Sequence, residues 1–127
     1  MFIPDDRGQM FGLSRKNTLV IEEISPEEAH KKLQTNPDIL LLDVRTVAEY
    51  EQAHVEGSLL IPVQELEGQM GQMEPYKTKE IYVICRSGGR SYSAASILKE
   101  KGFEQTYNVS GGVMSWHQAG LPLNIKS

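Results

Sequence analysis

Three short apolar runs, spaced between helix-start signals, constrain this chain more than any other feature. Ile39-Leu40-Leu41-Leu42, Ser58-Leu59-Leu60-Ile61 and Ile81-Tyr82-Val83-Ile84 show no alternation of apolar and polar residues. A strand that is apolar on both sides must be covered on both faces, which is the signature of a parallel sheet inside layers of helix. Between the runs stand helix starts. Ser25-Pro26-Glu27-Glu28 combines a Ser N-cap, Pro at the first helical position and a Glu that closes a capping box. Thr46-Val47-Ala48-Glu49 repeats the box before a short helix to about Ala53.

Two further strands are expected at Leu19–Ile24 and Thr106–Val109, and further helices from Ser91 through Leu98 and from Val113 to about Ala119. A weak helix from Gln64 to about Met73 is interrupted by Gly68 and Gly71. Strand–helix alternation with short connections predicts an α/β fold: a central, mostly parallel five-stranded sheet with helices on both faces. The length of 127 residues suits one domain. Residues 1–17 have no clear period and read as an N-terminal extension, leaving 18–127 as the domain.

The formal charge of −4 argues against a nucleic-acid partner. No apolar run approaches the length of a membrane span, and the N-terminus, acidic at Asp5-Asp6, lacks the apolar core of a secretory signal. A single cysteine cannot form an internal disulfide, so a cytoplasmic domain is expected, with one thiol that is either core filler or chemistry. The charge is uneven. Met1–Ile84 holds eight Lys/Arg and fifteen Asp/Glu, whereas Cys85–Ser127 holds five and two. The cysteine therefore opens a locally positive segment, a setting suited to an anion.

Cys85-Arg86-Ser87-Gly88-Gly89-Arg90 follows an apolar strand and precedes a helix, for which Ser91 is read as the cap. In parallel sheets, ligands bind beyond such strand ends. Gly88 and Gly89 allow the loop to curl with its N–H groups inward, and the helix adds unpaired donors and a positive dipole end. A thiol inside that ring is expected to be acidic. The ring suits a persulfide anion on Cys85 or, equally, an oxyanion. Arg86 and Arg90 supply charge for an anionic substrate, and Ser87 completes the loop.

The chain resembles the rhodanese (sulfurtransferase) family over about Thr18 to Leu123. The markers run in order: Ile24–Glu28; Leu41-Leu42-Asp43-Val44-Arg45 followed by Glu49-Tyr50; His54 to Pro62; the Cys85–Arg90 loop; and Gly111-Gly112-Val113-Met114-Ser115-Trp116, closing with Ala119–Pro122. The resemblance implies the α/β fold already inferred and a persulfide carried on Cys85. The activity expected is transfer of sulfane sulfur from thiosulfate or another small anionic donor to cyanide, a thiol or a relay protein, with no cofactor. The alternatives are a cysteine phosphatase or arsenate reductase, or a persulfide carrier for a partner protein. The spacing disfavours the phosphatase: such enzymes resemble Cys-x5-Arg, and here Cys85 to Arg90 is Cys-x4-Arg.

Asp43 and Arg45 either border the site or pin a loop, with Arg45 expected to pair with a carboxylate such as Glu49. His54 is read as a backbone tie and Trp116 as packing. No His or Cys stands at zinc-ligand spacing, so no metal is expected.

Overall fold

The computed structural model describes residues 20–127. The extension assigned to residues 1–17, and Leu19 of the first expected strand, lie outside the described residues. The elements in chain order are β1 (Glu22–Ile24), α1 (Pro26–Thr35), β2 (Leu40–Asp43), α2 (Val47–Gln52), β3 (Ala53–His54), β4 (Leu59–Leu60), α3 (Met70–Met73), β5 (Ile81–Ile84), α4 (Gly89–Glu100), β6 (Thr106–Val109), α5 (Gly112–Gln118) and β7 (Asn124–Ile125).

Five strands form one sheet in the order β1-β6-β5-β2-β4. Every pairing in it is parallel. The apolar runs account for this, since β2 and β5 are buried along their full length. Their side chains alternate between two cores. Leu40, Leu42, Ile81, Val83 and Cys85 pack with Ala94, Ala95 and Leu98 of α4. Leu41, Tyr82 and Ile84 pack on the other face with Ala29 of α1 and Trp116 of α5. Cys85 thus continues the β5 alternation one residue past the strand, which aims its side chain at α4.

Both predicted N-caps form, but only the second closes its box; at Ser25 the Glu28 side chain makes no return bond. The Ser25 hydroxyl accepts from the Glu28 N–H, and Thr46 and Glu49 make a reciprocal capping box. The Gln64–Met73 segment does not hold one helix. It breaks into 3₁₀ turns at Val63–Glu65 and Glu67–Gln69 before the single turn of α3. Glycine at 68 and 71 offers no side chain to favour a continuous α-helix. A small antiparallel ribbon, β3 with β7, joins Ala53-His54 to Asn124-Ile125. Strands of two residues carry no readable period, so the sequence gives no sign of it.

Candidate functional site

The loops after β2, β5 and β6 gather at one edge of the sheet, the carboxyl ends of its central strands. Cys85 sits there, 1% exposed. Its sulfur receives the Gly88 N–H at 3.1 Å and lies 3.3 Å from the Ser91 hydroxyl. Burial pushes the thiol pKa up. The Ser91 hydroxyl and the backbone N–H groups of Ser91, Gly88 and Ser87 pull it down further, leaving it below the ordinary thiol value.

The local backbone explains this geometry. Gly88 has φ +114° and serves as the N-cap of α4 with no side-chain cap bond. The helix therefore starts at Gly89 rather than after Ser91, and its uncapped first-turn donors face sulfur. Ser91 is not the cap. It is fully buried inside the first turn, where its hydroxyl reaches Cys85 and Asn108. Of the two loop glycines only Gly88 has positive φ; Gly89 is ordinary helical backbone.

A second pair of glycines fixes the loop from behind. Gly111 and Gly112 take φ +72° and +61°. They let α5 begin against the loop, so that the Val113 N–H donates to the Cys85 carbonyl at 2.8 Å and the Met114 N–H to the Arg86 carbonyl at 3.0 Å. With both carbonyls held outward, the following N–H groups turn toward sulfur. A Cβ on Gly112 would fall inside the backbone of Cys85 and Arg86.

Arg90 stands in the first turn of α4 and grips Glu49 of α2 with two bonds, 2.8 and 2.9 Å. The Arg90 hydrogen bonds outweigh burial and, with the bonds from Thr46, hold the Glu49 carboxyl down to about 2. Arg45 does not pair with the Glu49 carboxylate. Its guanidinium and its own N–H bind Asp43, with a closest contact of 2.7 Å. Two residues apart, Asp43 and Arg45 close a local ring, while the Glu49 carboxylate is already committed to Thr46 and Arg90. The Asp43–Arg45 pair is buried, and Arg45 also donates to the Ala53 carbonyl at 2.7 Å, pinning the end of α2. Arg86 and Ser87 are exposed. Arg86 lines an open groove beside the loop with Arg45, Glu49, Gln52, Val113 and Met114.

His54 ties the backbone, its Nδ1 lying 2.9 Å from the Tyr50 carbonyl, and its ring stacks on Tyr50. Trp116 is wholly buried and donates to the Pro122 carbonyl at 2.9 Å. Among the described residues no group of three His, Cys, Asp or Glu is placed to hold a metal ion, and no helix is long and apolar enough to cross a membrane.

The model of the rhodanese-like domain matches residues 25–119. The chain belongs to the rhodanese-like family. Its relatives bear several names, among them sulfurtransferase, sulfur carrier and tRNA uridine(34) hydroxylase. A "Sulfurtransferase" of Allochromatium vinosum is 33% identical over 104 residues, covering 82% of this chain and 95% of that protein. The "Putative sulfur carrier protein YrkF" of Bacillus subtilis is 39% identical over 103 residues, covering 81% of this chain. This rhodanese-like chain spans only 55% of YrkF. Among solved structures, the polysulfide-sulfur transferase homodimer of Wolinella succinogenes superposes with a TM-score of 0.74 at 32% identity, covering 84% of this chain and 80% of that one. Sulfurtransferases and sulfur carriers thus stand among the relatives of this rhodanese-like chain, beside proteins named tRNA uridine(34) hydroxylase.

Three contributors to the rhodanese-like loop escaped the sequence reading. Glu49 is 41 residues from Arg90, Asn108 is 17 from Ser91, and the first-turn donors of α5 are backbone. The apolar patterns that set the strand order hold no record of which polar side chains meet across it. The one available signal was Ser91 itself, six residues after Cys85 and so two helical turns' reach from it at most.

Proposed function

We propose that residues 18–127 form a sulfurtransferase unit in which Cys85 is the nucleophile and Arg86, Ser87, Gly88, Gly89 and Arg90 build the substrate-binding loop. The observation that carries this reading is the Cys85 sulfur, buried and met by the Gly88 N–H at the uncapped start of α4. The Cys85 thiolate attacks the outer sulfur of thiosulfate. The S–S bond of the donor breaks, and sulfite leaves with its electron pair. Cys85 then carries a persulfide whose terminal anion faces the loop amides. A nucleophile such as cyanide attacks that terminal sulfur, giving thiocyanate and returning the thiolate. Arg86, exposed at the groove, attracts the anionic donor. Arg90 holds the loop by its bond to Glu49, and Arg45 borders the groove while Asp43 holds Arg45 in place.

The test is intact mass after incubation with thiosulfate. The expected result is a gain of one sulfur atom that cyanide removes and that Cys85→Ser never acquires. Turnover of an aryl phosphate exceeding sulfur transfer would overturn the reading in favour of a phosphatase.

A protein thiol as acceptor is a second reading, favoured by one observation. Val47, Tyr92 and Met114 are 53%, 46% and 44% exposed. They stand in the first turns of α2, α4 and α5, the helices that follow β2, β5 and β6. Exposed apolar side chains around a reactive site suit a macromolecular partner. Replacing all three with Ser is expected to leave transfer to cyanide intact and to slow transfer to a partner's thiol.

A further inference from the structure

The buried polar groups behind Cys85 can be counted hydrogen by hydrogen. The Asn108 amide nitrogen faces the Glu23 carboxylate at 3.0 Å and the Gly88 carbonyl at 3.3 Å. Both are acceptors only, so this end must be the NH2 group. The amide oxygen therefore faces the Ser91 hydroxyl. Ser91 has one hydrogen and two acceptors within reach, the Asn108 oxygen and the Cys85 sulfur. The Asn108 oxygen has no hydrogen of its own, and Asn108 is 3% exposed, so leaving that oxygen bare is costly.

We propose that Asn108 is a positioning residue that holds the Ser91 hydrogen away from Cys85, so that the resting site keeps a thiol that donates to Ser91. The inference rests on Cys85 being the sulfur-carrying residue proposed above. In the resting state the hydrogens run one way: Cys85 S–H to Ser91 oxygen, Ser91 O–H to Asn108 oxygen. When Cys85 ionises, the Ser91 hydroxyl must turn to give the thiolate the bond that lowers its pKa, and turning strips the Asn108 oxygen. Once Cys85 carries a persulfide, charge moves to the outer sulfur. The inner sulfur is then neutral, and the Ser91 hydrogen returns to Asn108. Asn108 thus restrains the bare thiolate and favours the loaded state.

Other charges reach the same sulfur. Arg86 is its neighbour in the loop, and Arg90 from α4 is paired with Glu49 from α2. Asp43 and Arg45 at the end of β2 neutralise each other, and Glu23 on β1 lies beyond Asn108. None of these contacts passes through the Ser91 hydroxyl, which is what separates their influence from that of Asn108.

A double-mutant cycle reads the effect. Thiolate absorbance is titrated against pH for the wild type, Asn108→Ala, Ser91→Ala and the double variant. Asn108→Ala frees Ser91 to donate to sulfur, so the thiolate fraction below the midpoint is expected to rise about tenfold. In the Ser91→Ala background the same change is expected to do nothing. An equal rise with and without Ser91, or no rise, overturns the proposal, because the effect would then come from Glu23 or from general loosening. Asn108→Val removes the same oxygen while keeping a residue that suits a buried strand, and serves if the Ala variant does not fold. As a second readout, the sulfite concentration that half-unloads the thiosulfate-treated protein should fall in Asn108→Ala. The titration needs no sulfur donor. A protein that never forms a persulfide therefore defeats the proposed function and leaves the titration result standing by itself.

Discussion

Two double glycines meet at Cys85, and they do different work. Gly88-Gly89 belongs to the loop that carries the cysteine. Gly111-Gly112 belongs to a neighbouring element, 26 residues beyond Cys85 at its nearer end. In the first pair only Gly88 has positive φ, and a Cβ there would meet its nearest atom at 3.7 Å, an ordinary contact. In the second pair both residues have positive φ, and a Cβ on Gly112 has no room. The loop that carries Cys85 needs one unusual torsion. The helix start behind it needs two, together with an empty space where a side chain would be. The geometry of the sulfur site is therefore held most tightly from outside its own segment.

The largest effect is expected at Gly112. Alanine there combines positive-φ strain with a clash against main chain, and the main chain cannot withdraw without breaking the Val113 and Met114 bonds to Cys85 and Arg86. Strain and overpacking together put the cost at about 2–6 kcal/mol. Urea unfolding should show this loss, and sulfur transfer should disappear even in the folded fraction. Near-wild-type activity in Gly112→Ala would remove the asymmetry between the two pairs.

Gly88→Ala comes next. Nothing clashes, so the cost is the torsion alone, about 1–3 kcal/mol. Gly88 also supplies the N–H that reaches sulfur at 3.1 Å, and any relaxation toward negative φ swings that donor away. The protein is expected to stay folded with its thiol pKa raised toward the ordinary value. Thiolate absorbance and unfolding, measured on one sample, separate the two effects.

The contrast between the pairs also marks what the sequence carried. The apolar runs at Ile39–Leu42 and Ile81–Ile84 announced a parallel sheet because complete burial of β2 and β5 leaves a local record. Cys85 was legible for the same reason: it ends such a run and precedes two glycines. The Gly111-Gly112 pair was visible as a chain break, but its fit against Cys85 depends on β5 and β6 being neighbours, and the local pattern is silent about that. Ser91 was misplaced because a Ser before a helical run normally caps it. Here Gly88 caps through its torsion, and the buried Ser91 hydroxyl lies between the Cys85 sulfur and the Asn108 oxygen instead. Arg45 was assigned the wrong carboxylate because spacing alone cannot tell a partner two residues away from one four away when both are acidic.

A smaller effect tests the third anchor of the loop, Arg90 with Glu49. The Glu49 carboxyl, lowered from 4.5 to about 2 mainly by its hydrogen bond with Arg90, binds its proton more weakly in the folded protein than in the unfolded chain. Its stabilising contribution is full above the unfolded value. It is lost as pH falls from about 4.5 toward about 2. Both side chains are partly exposed, at 36% and 30%, so solvent screening keeps the effect below that of Gly88. The urea midpoints of wild type and Glu49→Gln should differ at pH 7 and converge through that acid window. A constant gap across it would show that the carboxylate charge does not hold the loop.

Gly89→Ala should have the least effect, and its sign is opposite. Gly89 is the first residue of α4, its φ is not positive, and nothing lies within 4 Å of the Cβ it would gain. Alanine fits that backbone and narrows the unfolded ensemble, a gain of about 0.4–1 kcal/mol where no strain opposes it. The Gly88 N–H and the Ser91 hydroxyl are untouched, so sulfur transfer should stay within about twofold of wild type, a change worth well under 1.4 kcal/mol of barrier. The comparison of the two pairs turns on this quiet position. If Gly89→Ala unfolds the protein or abolishes transfer, the loop depends on both of its glycines, and the tight hold assigned to Gly111-Gly112 is shared equally by the segment that carries Cys85.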